Sequence, residues 1–321
     1  MKNYRYEYIS VYQDIIKELI NFNQSLGFKY EVAQKQLKKF DRFIYSKNIS
    51  EIDLNKQLVN EFASKSPHEA QSSQNIRVSC IRSLAKFLIS KGYEAYVYPP
   101  LPRGAYTITF IPYIFTNQEL QKFFTVADEN VEINKKRGKA YSLIFRLLYG
   151  TGMRVSEVLS LMLEDIDFDQ NLILVKNGKH NRERLIPVHP ELMKNFKEYL
   201  VESNRFYTSN TFCFSHDQKP FSTDSVYSAF RNYLWKARIP HGGKSKGPRV
   251  HDFRHTFCIH RIRNWIREGR DITALFPYLC AYLGHADTRG TEYYFRLTAE
   301  FYPEMVSRFE KYWKDGEINE E

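Results

Sequence analysis

The chain has 321 residues, a hydrophobic fraction of 43% and a formal net charge of +10 with a pI near 9.2. That length suggests about two domains of roughly 100–200 residues, and the apolar content excludes wholesale disorder. The excess of cations favours a polyanionic partner, nucleic acid or an anionic membrane surface, without choosing between them. Cys80, Cys213, Cys258 and Cys280 form no Cys-x-x-Cys pair and no zinc-ligand spacing, so reduced core thiols are expected rather than a disulfide framework. The stretch from Met1 to Glu7 lacks the apolar run of a signal peptide, and nothing approaches the roughly 18 apolar residues of a membrane span. A soluble, cytoplasmic protein without membrane association is expected.

The first hundred residues read as helices. Tyr12, Ile15, Ile16, Leu19 and Ile20 fall on one helical face, and Leu37, Phe40 and Ile44 repeat the pattern. Leu54, Leu58 and Phe62 make a third stripe; Ile81, Leu84 and Leu88 make a fourth, with Gly92 as a C-terminal cap. The implied small bundle carries Lys35, Lys38, Lys39 and Lys86 on its outer faces, where lysines serve either as a solvated surface or as phosphate contacts. Pro99, Pro100, Pro102, Gly104 and Pro112 then interrupt any helix. Thr116 and Glu119 have the spacing of a capping box. This punctuation divides the chain into a helical domain over 1–98, a linker over 99–114 and a second domain over 115–321.

The second domain reads as mixed. Helices are expected over 140–149, ending at Gly150, and over 155–162. Leu172 to Val175 and Arg184 to Val188 read as a hairpin with a basic tip, and Pro190 opens a helix. Helices resume from Thr223, after which Gly242 to Pro248 is a basic loop containing Lys244 and Lys246. A stripe of Phe301, Met305, Phe309 and Trp313 marks an apolar helix face near the C-terminus.

Five short segments carry candidate chemistry. Arg154 follows a glycine-rich turn at a helix start, a place where backbone N–H groups and a guanidinium suit an anion, although surface arginines in capped helices are common. Lys179 sits at the hairpin tip, as a solvated turn residue or as a proton donor. His251 and Arg254 lie one helical turn apart, which suits a phosphate; His251, Asp252 and His255 also admit a metal. His285 follows Leu283-Gly284, and Tyr294 is one of 23 tyrosines. Singly, each segment has an ordinary structural explanation.

Together they resemble the tyrosine recombinase (phage integrase) family. That family carries Gly-x-Arg-x-x-Glu-x-x-x-Leu, matched by Gly152, Arg154, Glu157 and Leu161. Its Gly-Lys-x-x-x-x-Arg-x-x-Pro hairpin is matched by Gly178, Lys179, Arg184 and Pro187. His-x-x-Arg-His is matched by His251, Arg254 and His255, and Leu-Gly-His by Leu283, Gly284 and His285. The family's tyrosine usually follows the last histidine by nine positions, which selects Tyr294 over Tyr293. All segments stand in family order. Phe295-Arg296 replaces the Thr-His pair often found after the tyrosine. The N-terminal half carries no motif and matches by architecture alone.

The resemblance implies a mainly α protein with a small antiparallel sheet: a SAM-like helical core-binding domain followed by an α+β catalytic domain. It implies a site-specific recombinase or integrase acting on double-stranded DNA through a 3′-phosphotyrosine on Tyr294. Arg154 and Arg254 would clamp the phosphate, and His285 would add a hydrogen bond. Lys179 would protonate the leaving oxygen, His251 would assist proton transfer, and Glu157 would orient its neighbours. No cofactor and no metal is implied. The expected partner is a specific DNA site, bound by a homo-tetramer on two sites, with the C-terminal stripe docking in trans or packing in cis. The alternatives are a type IB topoisomerase-like enzyme, a catalytically inactive DNA-binding relative, and a metal-dependent nuclease using His251 and His255.

Overall fold

A computed structural model describes residues 6–101, 111–133, 135–176, 183–203, 211–216, 219–243 and 247–284. The chain divides into two compact units, Met1–Thr109 and Phe110–Glu321. None of the described helices is long and apolar enough to cross a membrane.

The first unit contains α1 (Gln13–Ser25), α2 (Glu31–Ser46), α3 (Lys56–Ala63) and α4 (Gln71–Ser90). Their apolar stripes meet in one core: Ile16, Ile20, Leu37, Phe40, Ile44, Val59, Ile81, Leu84 and Leu88 are buried together. Asp41, buried on α2, accepts hydrogen bonds from the Ile9 and Ser10 amides at 2.9 Å each, tying the entering chain to the bundle. Asn55 caps α3 by accepting from the Leu58 amide at 3.0 Å. Leu54, expected inside a helical stripe, instead precedes α3 and pairs with Ala95 as an isolated bridge. Asn55 starts the helix one residue later, which frees the Leu54 carbonyl to accept from the Tyr96 amide at 2.8 Å. Gly92 follows α4 at φ +87°, as the cap reading requires.

The second unit opens with the capping box. The Thr116 amide donates to Glu119 Oε2 at 2.8 Å, and the Glu119 amide donates to Thr116 Oγ1 at 3.2 Å. Helix α5 (Asn117–Ile133) follows, then α6 (Lys135–Thr151), which packs against α5, α8 (Pro190–Glu202) and α10 (Asp252–Arg267). Helix α7 covers only Val155–Leu159. It is shorter than the 155–162 stretch expected because the chain bends at Ser160, where the Leu161 carbonyl turns to accept the Cys213 amide at 2.8 Å. A 3-10 turn (Leu163–Asp165) leads to an antiparallel sheet of β1 (Ile166–Asp167), β2 (Leu172–Val175) and β3 (Arg184–Pro187), ordered β1-β2-β3. Register pairs Val175 with Arg184 and Leu172 with Pro187, so Ile173, Val175 and Ile186 face the core. A second pair, β4 (Ser215–His216) and β5 (Lys219–Pro220), precedes α9 (Thr223–Lys236), and α11 (Ile272–Leu283) closes the described chain.

The core of this unit is an aromatic cluster. Phe253 stacks on Phe115 at 5.1 Å between centroids and meets Phe123 edge-on at 5.2 Å and Phe230 at 5.6 Å. Such pairs contribute roughly 0.5–1.5 kcal/mol beyond the area they bury. Phe253 lies between His251 and Arg254 in sequence, so the cluster anchors the start of α10 and fixes where those two side chains emerge. Mainly helical, with a small three-stranded antiparallel sheet and a two-stranded pair in its second unit, the fold has the class the sequence implies.

Candidate active site

Helix α6 ends in a turn that glycine makes possible. Gly152 has φ +62°, and a Cβ there would come 2.6 Å from the Phe257 ring. Only glycine combines that backbone with that approach. Immediately after it, Arg154 occupies the N-cap position of α7.

Glu157, one turn on, accepts four hydrogen bonds. Two come from Arg154, its amide at 2.9 Å and Nη1 at 2.7 Å. Two come from Arg184 on β3, Nη1 at 3.2 Å and Nη2 at 2.8 Å. The carboxylate is 5% exposed and its lone pairs are filled. Burial pushes its pKa up, but hydrogen bonds and charge from Arg184 and Arg154 together outweigh that and hold it at about 2. Arg154 remains about a quarter exposed, at 24%, and its Nε and Nη2 take no hydrogen-bond partner among the described residues.

Arg254 is 2% exposed. Its Nη1 donates to the Gly152 carbonyl at 2.7 Å and its Nη2 to the Leu283 carbonyl at 2.7 Å. Leu283 ends α11, whose last carbonyls have no partner within the helix. Arg184 serves the neighbouring one: its Nε donates to the Tyr282 carbonyl at 2.9 Å. Two guanidiniums therefore cap α11, a favourable match to the negative end of a helix dipole. The last described residue, Gly284, lies against Arg184; a Cβ at 284 would sit 3.1 Å from Nη1.

His251 precedes α10, with its ring edge-on to His255 at 4.9 Å between centroids. Crowding by the protein on one side, then the charges of Arg254, Arg154 and Arg249, push its pKa down to about 4, against an opposing push from Glu157. The side chain keeps an exposed side, where water screens part of this effect. Asp252, counted with His251 and His255 as a ligand set, is fully buried and committed elsewhere. Its oxygens accept from the Arg249 amide at 2.7 Å and from Arg249 Nη2 at 3.1 Å. Among the described residues no three His, Cys, Asp or Glu side chains gather as a metal site.

Arg154 and Glu157 thus come together with His251 and Arg254 from two distant stretches of the sequence. Lys179, His285 and Tyr294 lie outside the described residues, as do Tyr293, Lys244, Lys246 and the stripe from Phe301 to Trp313. On the first unit, Lys35 and Lys39 of α2 and Lys86 of α4 are exposed, and Lys38 is half-buried with its Nζ 4.9 Å from the centre of the Tyr6 ring. Sequence reasoning gave Arg184 a place in a motif but no task, and it passed over Arg249 and the carbonyls of Gly152, Tyr282 and Leu283. The Arg249-x-x-Asp252 spacing, a carboxylate reaching back to a helix start, is the one signal that pointed at Arg249.

A buried arginine fixed by two helix ends, a second arginine on a carboxylate and an imidazole beside them stand together at one place in the fold. Residues 114–300 match the phage integrase family, and the chain belongs to it. Among its relatives, the tyrosine recombinase XerD of Staphylococcus aureus is 27% identical over 309 residues, spanning 92% of this chain and 98% of that protein. The XerH site-specific recombinase in a post-cleavage complex with palindromic difH has the same fold, with a TM-score of 0.63 at 18% identity over 94% of this chain and 90% of that one. The Tn1549 transposon integrase with transposon right end DNA aligns with a TM-score of 0.59 at 17% identity, covering 92% of this chain and 98% of that one.

Proposed function

We propose that this protein is a site-specific recombinase of a mobile element, cutting and rejoining double-stranded DNA through a 3′-phosphotyrosine on Tyr294. One observation carries the reading: Arg154 and Arg254, distant in sequence, are locked to one turn by Glu157 and the Gly152 carbonyl, and the charges of both act on His251. The arrangement is preorganised for an anion whose charge grows in the transition state, because neither arginine must reorganise as the phosphate becomes five-coordinate. Arg154 and Arg254 bind its non-bridging oxygens. A neutral His251 accepts a proton in the path that activates the tyrosine, whose ordinary pKa near 10 leaves it protonated at neutral pH.

The covalent bond stores the energy of the broken phosphodiester, so a 5′-hydroxyl from a second strand completes exchange without ATP. Lys179 supplies the leaving oxygen with its proton, and His285 adds a hydrogen bond to the phosphate. The working assembly is a homo-tetramer on two DNA sites, passing through a Holliday junction. Likeness to a transposon integrase supports the mobile-element reading; on that reading the recombination site lies in DNA flanking the gene.

The test uses nicked duplexes cut from that flanking DNA, incubated with the full chain in EDTA. The expected product is a covalent protein–DNA adduct at a 3′ end with a free 5′-hydroxyl, and recombinant molecules from paired intact sites. Cleavage that stops in EDTA, or no adduct on any flanking sequence, overturns the proposal. Plasmid relaxation without recombinants would instead mark a topoisomerase-like enzyme.

A further inference from the structure

Arg184 has no part in the chemistry above, yet it joins the turn that carries Arg154 to the end of α11 that supports Arg254. Its guanidinium forks onto Glu157, at 3.2 and 2.8 Å, and its Nε reaches the Tyr282 carbonyl at 2.9 Å. One residue beyond Tyr282, the Leu283 carbonyl holds Arg254 at 2.7 Å. Gly284 takes φ +68° against the Arg184 side chain, where a Cβ would lie 3.1 Å from Nη1 and 3.3 Å from Cδ and Cζ. The ion pair is buried, with side-chain exposures of 9% for Arg184 and 5% for Glu157.

We propose that Arg184 is a positioning residue of the recombination reaction, which keeps Arg154 cationic toward the phosphate by sharing the charge of Glu157. The proposal rests on the reading of Arg154 and Arg254 as the phosphate clamp. Glu157 alone would neutralise Arg154: one carboxylate against one guanidinium leaves no net charge to meet the DNA. Arg184 brings a second guanidinium to the same carboxylate, so one positive charge is left over, and Arg154 is the exposed member of the three. Because Glu157 and Arg184 are shielded from water, their pairing is weakly screened and the uncompensated charge is felt at short range through Arg154. Arg184 also joins β3 to the end of α11, so the carbonyl supporting Arg254 is set by the same side chain. Lysine cannot reproduce this. Its single ammonium lacks the fork that meets both oxygens of Glu157 and the Nε–H that reaches Tyr282.

The experiment compares the wild type with Arg184→Lys, Arg184→Gln and the double variant Glu157→Gln/Arg184→Gln. It measures the rate of adduct formation at saturating DNA, the affinity for DNA and the Tm of each. Arg184→Gln should lose roughly 100-fold in saturated rate, the order seen when one transition-state donor is removed, with little change in affinity. The double variant again leaves Arg154 as the one uncompensated charge, and should recover roughly 10-fold over Arg184→Gln, the non-additivity expected of directly coupled groups. Arg184→Lys should fall between wild type and Arg184→Gln.

A double variant no faster than Arg184→Gln, with Tm falling in step, overturns the proposal in favour of a purely structural tie. Should Arg184→Gln fail to fold, the saturated rate of Arg184→Lys decides: a value equal to wild type overturns the proposal, and a reduced one at unchanged affinity supports it. Failure of the wild type to form any adduct would count against the underlying reading of the site and not against Arg184 in particular.

Discussion

Arg254 Nη1 and the carbonyl oxygen of Gly152, 102 positions apart in sequence, meet at 2.7 Å. The contact joins the turn that carries Arg154 to the helix that carries Arg254, so any change in that turn reaches both arginines. Gly152→Ala should therefore damage stability and chemistry together. A left-handed backbone costs an alanine about 1–2 kcal/mol, and its Cβ would lie 2.6 Å from the Phe257 ring, which must move. For a unit of this size the Tm should fall by roughly 4 °C or more, and adduct formation should slow even well below that Tm. Unchanged melting and cleavage would show that the turn has slack the geometry does not suggest.

Arg254 itself is a stricter case. Its two nitrogens are each aimed at a carbonyl, and the guanidinium is buried. Arg254→Lys keeps the charge but cannot serve Gly152, Leu283 and a phosphate oxygen at once. A loss of roughly 100- to 1000-fold in adduct formation is expected, the usual scale for deleting a preorganised donor, with DNA affinity within a few-fold of wild type. A variant that cleaves at nearly the normal rate would place the clamp elsewhere.

These contacts show what a sequence reveals and what it hides. The stripes of α1, α2 and α4 were legible because a helix buried on one face must repeat its apolar residues every turn. The Thr116–Glu119 box was legible because both partners lie within one turn. The order Arg154, Lys179, His251, Arg254, His285 and Tyr294 stood out because each sits in a short, fixed local setting. Arg184 was visible only as a motif letter: its partners on Glu157 and Tyr282 lie 27 and 98 positions away, and nothing local announces them. Strands β1, β4 and β5, of two residues each, are too short to express an alternation. The early end of α7 depends on the Cys213 amide, a partner from a distant segment. Local periodicity is readable; side chains that satisfy the ends of remote helices are not.

Acid should destabilise the protein in two separable windows. His260 is buried on α10, with its Nδ1 3.1 Å from the Tyr149 hydroxyl. Burial, then the charge of Arg263, push its pKa down from 6.5 to about 4. An unfolded chain takes up that proton as pH falls below about 6.5, while the folded one stays neutral until about 4. The stabilisation held above 6.5 is thus lost as pH falls from 6.5 toward 4. Glu157 acts lower: its carboxylate is favoured in the fold, so its contribution is present above 4.5 and drains away between 4.5 and about 2. His260→Gln, which can still pair with Tyr149, should flatten Tm against pH in the upper window and leave the lower one in place. A slope unchanged between pH 6.5 and 4 in that variant would remove His260 from the account.

The same logic sets the acid limb of the reaction. A base must be unprotonated to work, and His251 is pushed down to about 4 by crowding and by Arg254, Arg154 and Arg249. In the free enzyme, which kcat/KM reports, acidification from pH 7.5 to 6 should therefore cost little activity through this group. A limb centred at or above pH 6.5 would mean that His251 is an ordinary imidazole, or not the proton acceptor.

The nucleophile is the assignment with the sharpest test, because Tyr293 and Tyr294 are adjacent. Removing a phenolic oxygen deletes attack outright while leaving the aromatic ring and the charge of the site unchanged. Tyr294→Phe should bind DNA as the wild type does and form no adduct at all. Tyr293→Phe should cleave within a few-fold of wild type. Peptide mapping of the wild-type adduct should place the nucleotide on Tyr294. An adduct that survives in Tyr294→Phe and vanishes in Tyr293→Phe would transfer the role to the neighbour and shift the spacing from His285 by one, while leaving the clamp of Arg154 and Arg254 intact. An adduct that survives both substitutions would remove the tyrosine mechanism altogether.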